Sequence, residues 1–181
     1  MKHTQQKGFT LIELLVVIAI IGILAAVTLL AINPAEMLRK TRDSARLQEI
    51  TNLKKGIDSQ IATKTANILE PVQSANRCTF ADPCNSSTGT RNIEGTGWLP
   101  LDLQDYIPVL PVDPRDNISN TRIATGIQAT PRIWFATDGS AYKLGIYMES
   151  SQNTNLLTND GGTDSTLYEL GTTISTAMTL N

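Results

Sequence analysis

The sequence predicts an α+β protein, a long N-terminal helix packed on a small antiparallel sheet, and three observations carry that expectation. The first is an apolar run. Residues Leu14 to Ile32 hold no charged side chain and no proline, which is length enough to cross a bilayer as a helix. The second is a stripe of Leu47, Ile50, Leu53, Ile57 and Ile61, which recur at steps of three and four residues and place one apolar face of a helix against a folded domain. The third is "PRIWFATDGSAYKLGIYME", two β-rich runs on either side of Asp138-Gly139, a turn-forming pair between strands.

Composition narrows the function classes. The 181 residues are 41% apolar with a formal net charge of −2, from 15 basic and 17 acidic side chains, so nucleic acid is not expected as the main partner. The average conceals an asymmetry, because the apolar residues gather near the N-terminus and the remainder is rich in Thr, Ser, Asn and Asp, as suits a domain facing water. The single histidine is His3, which leaves no histidine for catalysis in the soluble part. No P-loop, dinucleotide glycine motif or Gly-x-Ser-x-Gly elbow is present.

Taking the elements in order, the segment "MKHTQQKG" gives a basic start, yet the apolar run after it is longer than a secretory h-region and lacks a small-residue exit site. A plain signal anchor accounts for the length but not for Glu13, an acid placed at the head of an apolar helix. A carboxylate at mid-bilayer costs about 2.5 to 3.5 kcal/mol even on insertion scales. One explanation is local: an acid in the first turn suits the helix dipole and can reach the headgroups.

The stretch "KGFTLIELLVVIAIIGILAAV", Lys7 to Val27, resembles the N-terminal segment of type IV pilins and of the pseudopilins of type II secretion systems, closely over about the first twenty-five residues. The resemblance implies a prepilin leader at 1–8, cleavage between Gly8 and Phe9 by a membrane-embedded prepilin peptidase, and N-methylation of Phe9. It implies a second role for Glu13, a charge pair with the Phe9 amine of a neighbouring subunit during assembly. The implied partners are the peptidase, further copies of this chain and related subunits, an inner-membrane assembly platform, and the lipid bilayer before assembly. The implied location is a single pass through the cytoplasmic membrane, N-terminus inside and C-terminal domain outside.

That orientation meets a conflict. Lys2 and Lys7 precede the apolar run, but Arg39, Lys40, Arg42 and Arg46 follow it, and counting basic residues alone favours the opposite insertion. Glu36, Asp43 and Glu49 interleave with the second cluster at near-helical spacings, so local ion pairs are expected there. Asn33-Pro34-Ala35-Glu36 reads as a helix restart, with Asn as N-cap, Pro at the first helical position and Glu three residues in. The expected divisions are a membrane or filament-core helix at 9–32, its amphipathic continuation at 33–66, and an exported domain at 67–181.

Within that domain, residues 68–96 read as an irregular connection containing Cys78 and Cys84 in "CTFADPC". Outside the cytoplasm these form a disulfide, closing a short loop for about 2 kcal/mol in the chain-entropy model; the alternative is two free thiols. "WLPLDLQDYIPVLPVDPRDN" is either ordinary proline turn chemistry or, by weaker resemblance, the Pro-Asp-Pro region of major pseudopilins. "STLYELG" offers a further strand. "NDGGTDSTLYE" sets Asn159, Asp160 and Asp164 around two glycines, hard oxygen donors suited to calcium. Major pseudopilins carry a calcium loop near this place, while such clusters also form simple turns.

The function expected is therefore a structural subunit of a pilus-like filament or a secretion pseudopilus. The alternatives are a signal-anchored extracytoplasmic enzyme or binding protein, and a minor pilin in DNA uptake or adhesion.

Overall fold

The computed structural model describes residues 8–64, 66–70, 72, 78–87, 90–116, 118, 121–172 and 176–178, apart from the side chains of residues 30 and 31. Lys2, His3 and Lys7 lie outside the described residues. The chain divides into two compact units, Met1–Leu38 and Arg39–Asn181.

In the first unit, helix α1 runs over Leu11–Ile32. Thr10 is its N-cap in extended conformation, and Asn33 ends it with φ 43° and ψ 76°, the left-handed geometry that asparagine tolerates better than most residues. Helix α2, Pro34–Thr63, starts immediately after. Pro34 fits its first position because no N–H is needed there, and the Asn33 side-chain oxygen accepts from Glu36 N at 3.3 Å. The helix is thus interrupted at Asn33, where the sequence marks a restart. Asn33 closes one helix and caps the next.

In the second unit, four strands form one antiparallel sheet in the order β1-β4-β5-β6, with β1 at Cys84–Asn85, β4 at Ile133–Thr137, β5 at Tyr142–Tyr147 and β6 at Leu167–Gly171. A separate ladder pairs β2, Thr121–Arg122, with β3, Gln128–Ala129. A 3₁₀ turn, Ser151–Asn153, leads into the short helix α3, Thr154–Asn159.

The β4–β5 hairpin sets the register Ile133↔Ile146, Phe135↔Leu144 and Thr137↔Tyr142. Its connection is longer than the two-residue turn that Asp138-Gly139 suggests, because Asp138 Oδ1 accepts from both Ser140 N and Ala141 N and Gly139 takes φ 88°. Alternation puts Tyr142, Leu144, Ile146 and Met148 on one face, all fully buried. Against that face, in the same core, lie Ile50, Leu53 and Ile57 of α2. Ile61 departs from the expected stripe, remaining 39% exposed. Gln60 is buried in its place, its amide nitrogen donating to the Asp102 carbonyl. Gly56 permits the close approach of the 102–107 segment, since a Cβ there would lie 3.0 Å from Ile107 Cγ2.

The sheet's second face is buried as well. Trp134, Ala136, Lys143, Leu167 and Glu169 alternate with the core residues and are all at most 4% exposed. Gly145 leaves room on that face for Met178, whose methyl would lie 2.9 Å from an added Cβ.

Candidate functional site

Three groups of residues carry chemistry, and the first is the N-terminal segment. Phe9 is 88% exposed, and among the described residues nothing lies within 4 Å of where a Gly8 Cβ would sit. Glu13 has intrachain partners. Its Oε2 accepts from Thr10 N at 2.8 Å and from Thr10 Oγ1 at 2.7 Å, while Glu13 N donates back to Thr10 Oγ1 at 3.3 Å. This is a reciprocal capping box, in which the acid satisfies donors that the first helical turn would otherwise leave unpaired. Beyond it, every described side chain of α1 is exposed. Among the described residues α1 is the one helix long and apolar enough to cross a membrane, over Leu11–Leu29.

The second group is a buried ionic network that no local pattern in the sequence announces. Arg46, 1% exposed, grips Asp113 with two nitrogens, Nε to Oδ2 at 2.6 Å and Nη2 to Oδ1 at 2.9 Å. It also reaches Asp43 Oδ1 at 2.8 Å and Glu149 Oε1 at 2.5 Å. Arg42 binds both oxygens of Glu149, at 3.1 and 2.6 Å, and Arg115 adds a longer contact at 3.3 Å. Asp43 also accepts from Glu149 N and Ser150 N, both at 2.8 Å, and from Asn153 Nδ2 at 2.7 Å.

Three arginines meet three carboxylates, so the network is charge-balanced. Burial pushes the Glu149 carboxyl up, but its hydrogen bonds to Arg42 and Arg46 outweigh this and hold it below the usual range. Burial disfavours the Arg46 cation, yet Asp113 and Glu149 more than compensate and its pKa rises. The basic cluster after the apolar run is thus only partly paired along the helix. Asp43–Arg46 is a local pair, whereas Arg42 and Arg46 also reach partners 67 to 107 residues away. The missed partner Asp113 lies in the Pro-Asp-Pro stretch, and Glu149 ends the predicted β run; in sequence each looks like a turn or strand-end acid.

The third group is the loop at residues 159–169. Asn159 donates to the Asn155 carbonyl. Asp160 accepts from Gly162 N and Glu169 N, and Asp164 Oδ1 accepts from Thr166 N and Oγ1. Among the described residues no group of three or more His, Cys, Asp or Glu side chains is arranged to hold a metal ion. A calcium ion takes six to eight oxygens, whereas here the carboxylates of Asp160 and Asp164 turn toward backbone N–H groups. Elsewhere, Cys78 and Cys84 are joined as a disulfide with Cα atoms 4.5 Å apart, tying the segment before β1 to the sheet edge where Cys84 pairs with Phe135. Cys78 also accepts Thr137 N at its carbonyl.

An exposed apolar helix headed by a capped acid, long enough to cross a membrane, is thus followed in the chain by an α+β unit. The family model described as the prokaryotic N-terminal methylation motif matches residues 3–29; the N-terminal segment of this chain is of the prepilin type. A fimbrial protein of Moraxella nonliquefaciens is 48% identical over 62 residues, which cover 34% of this chain and 36% of that relative. The chain thus matches about a third of the length of the curated relative. No solved structure matches.

Proposed function

We propose that this chain is the precursor of a structural subunit that is cut between Gly8 and Phe9, N-methylated at Phe9, and polymerised through α1 into a pilus-like filament. The observation that carries the reading is α1 itself. A helix with every described side chain exposed, lying mostly within the methylation motif matched at residues 3–29, needs an apolar environment on all sides. Lipid supplies it before assembly and the helices of other copies supply it afterwards. The fimbrial relative favours a pilus over a secretion pseudopilus, while the motif is common ground for both. On this reading the prepilin peptidase, other copies and an inner-membrane assembly platform are the partners, the N-terminus faces the cytoplasm, and the Arg39–Asn181 unit is exported. The role is structural and not enzymatic.

The test is co-expression with a prepilin peptidase followed by intact-mass measurement. The mature chain is expected to begin at Phe9 and to carry one added methyl group. A chain that keeps its leader, or is cut after the apolar run, overturns the proposal.

A further inference from the structure

Lys143 is 0% exposed, in the middle of β5. Its ammonium lies 2.7 Å from Glu169 Oε1 and 3.2 Å from Thr163 Oγ1. The side chains of both Lys143 and Glu169 are fully buried. A buried pair survives only when its remaining valences are met, and here they are: Glu169 Oε2 accepts from Thr163 N at 2.5 Å and from Asp164 N at 3.0 Å. Gly162 lies so close that a Cβ would fall 1.9 Å from the same oxygen. The loop therefore wraps a carboxylate whose counter-charge comes from the neighbouring strand. Asp160 completes the wrap by accepting Glu169 N at 2.7 Å.

We propose that Lys143 is the resident cation of the acidic loop at residues 159–169, doing there what a divalent metal would do and making the loop independent of calcium. The reasoning is steric and electrostatic. A metal at Glu169 would have to share one carboxylate with a buried ammonium and strip it from two backbone N–H groups. Recruiting Asp160 would break two more backbone bonds. The repulsion between an added divalent ion and the ammonium is weakly screened because the side chains of Lys143 and Glu169 are closed to solvent. The inference goes beyond the filament reading and stands on the fold of the Arg39–Asn181 unit alone, so failure of processing or assembly leaves it untouched.

The test is thermal unfolding of the full-length chain in detergent, followed by tryptophan fluorescence, in a chelator and in millimolar calcium. The wild type is expected to show the same midpoint in both. A calcium site filled at a hundred times its Kd would raise the midpoint by roughly 5 to 10 °C, and such a rise overturns the proposal. Lys143→Met keeps much of the volume and removes the charge, and its midpoint in chelator is expected to fall by about 10 °C. A midpoint unchanged from wild type also overturns it. The double variant Lys143→Met, Glu169→Gln separates charge from packing. It should recover at least half of the loss, even where the single variant does not fold; recovery of none shows that Lys143 acts through shape and not as a counter-ion.

Discussion

Arg46→Met removes the centre of the buried network while keeping a long unbranched side chain at the same place on α2. After the change Glu149 still has Arg42 at 2.6 Å, and Asp43 still has two backbone donors. Asp113 is worst placed. Its two bonds from Arg46 are gone, leaving the backbone donor Arg115 N at 2.8 Å for a residue that is 3% exposed. Breaking a buried pair by deleting one partner costs about 3 to 5 kcal/mol, which lowers the midpoint by roughly 6 to 20 °C for a domain of this size. The control is Lys54→Met, because Lys54 and Asp58 form an i,i+4 pair whose side chains are 31% and 40% exposed; exposed pairs of this kind contribute at most about 1 kcal/mol. Urea unfolding of both variants in one detergent compares them directly. A loss for Arg46→Met no larger than that for Lys54→Met refutes the claim that the network fastens α2 to the sheet. A cycle with Asp113→Asn should give a coupling of about 1 to 3 kcal/mol.

Four further outcomes follow from the same geometry. Replacing Gly8 by a bulky residue should leave the leader in place, since the side chain would crowd the scissile bond; intact mass reads the result. Replacing both Cys78 and Cys84 by serine should destabilise by about 2 kcal/mol, measured by denaturant titration, with non-reducing peptide mapping of the parent establishing the bond. The Glu149 carboxyl is held below its unfolded value, so its contribution is full above the ordinary carboxylate range and is lost as pH falls through the folded value. Unfolding midpoints should hold near neutrality and drop below about pH 4, and the drop should shrink in Glu149→Gln. On the filament reading, Glu13→Gln should insert and keep a protease-resistant Arg39–Asn181 unit, yet appear mainly as membrane-held monomer when filaments are sheared and pelleted; a normal filament yield removes the charge pair from the account.

The sequence made visible what period and punctuation encode. The apolar run, the stripe on α2, the β4–β5 alternation and the restart at Asn33 are each local patterns within a few residues of one another. The network of Arg42, Arg46, Asp113 and Glu149 was not visible, for the opposite reason. Its members are separated by as many as 107 residues, and each has an ordinary local reading as a helix-surface charge, a turn acid or a strand end. Lys143 was hidden similarly. A lysine in an alternating strand reads as solvent-facing, and only the burial of the sheet's second face makes it a buried ion. Asp160 and Asp164 were legible as chemistry but not as geometry, because a turn and a metal loop draw on the same residues and differ in where the oxygens point.

Glu13 joins these two levels. Its capping box with Thr10 is a sufficient local reason for an acid at that position, since it meets helix-end donors that would otherwise go unpaired and two hydrogen bonds from Thr10 leave the carboxylate far from bare. An intact precursor then has no need of an amine to tolerate the charge. Cutting the Gly8–Phe9 bond changes the balance. A new ammonium would appear at Phe9, one residue before the N-cap, beside the positive end of the helix dipole. In an apolar bundle that cation, more than the acid, is the group without a partner. Because Oε2 takes both Thr10 donors, a carboxylate can hold its own cap and still offer its second oxygen to an incoming amine. On the processing reading, the acid is accommodated by its own helix first and recruited by assembly afterwards.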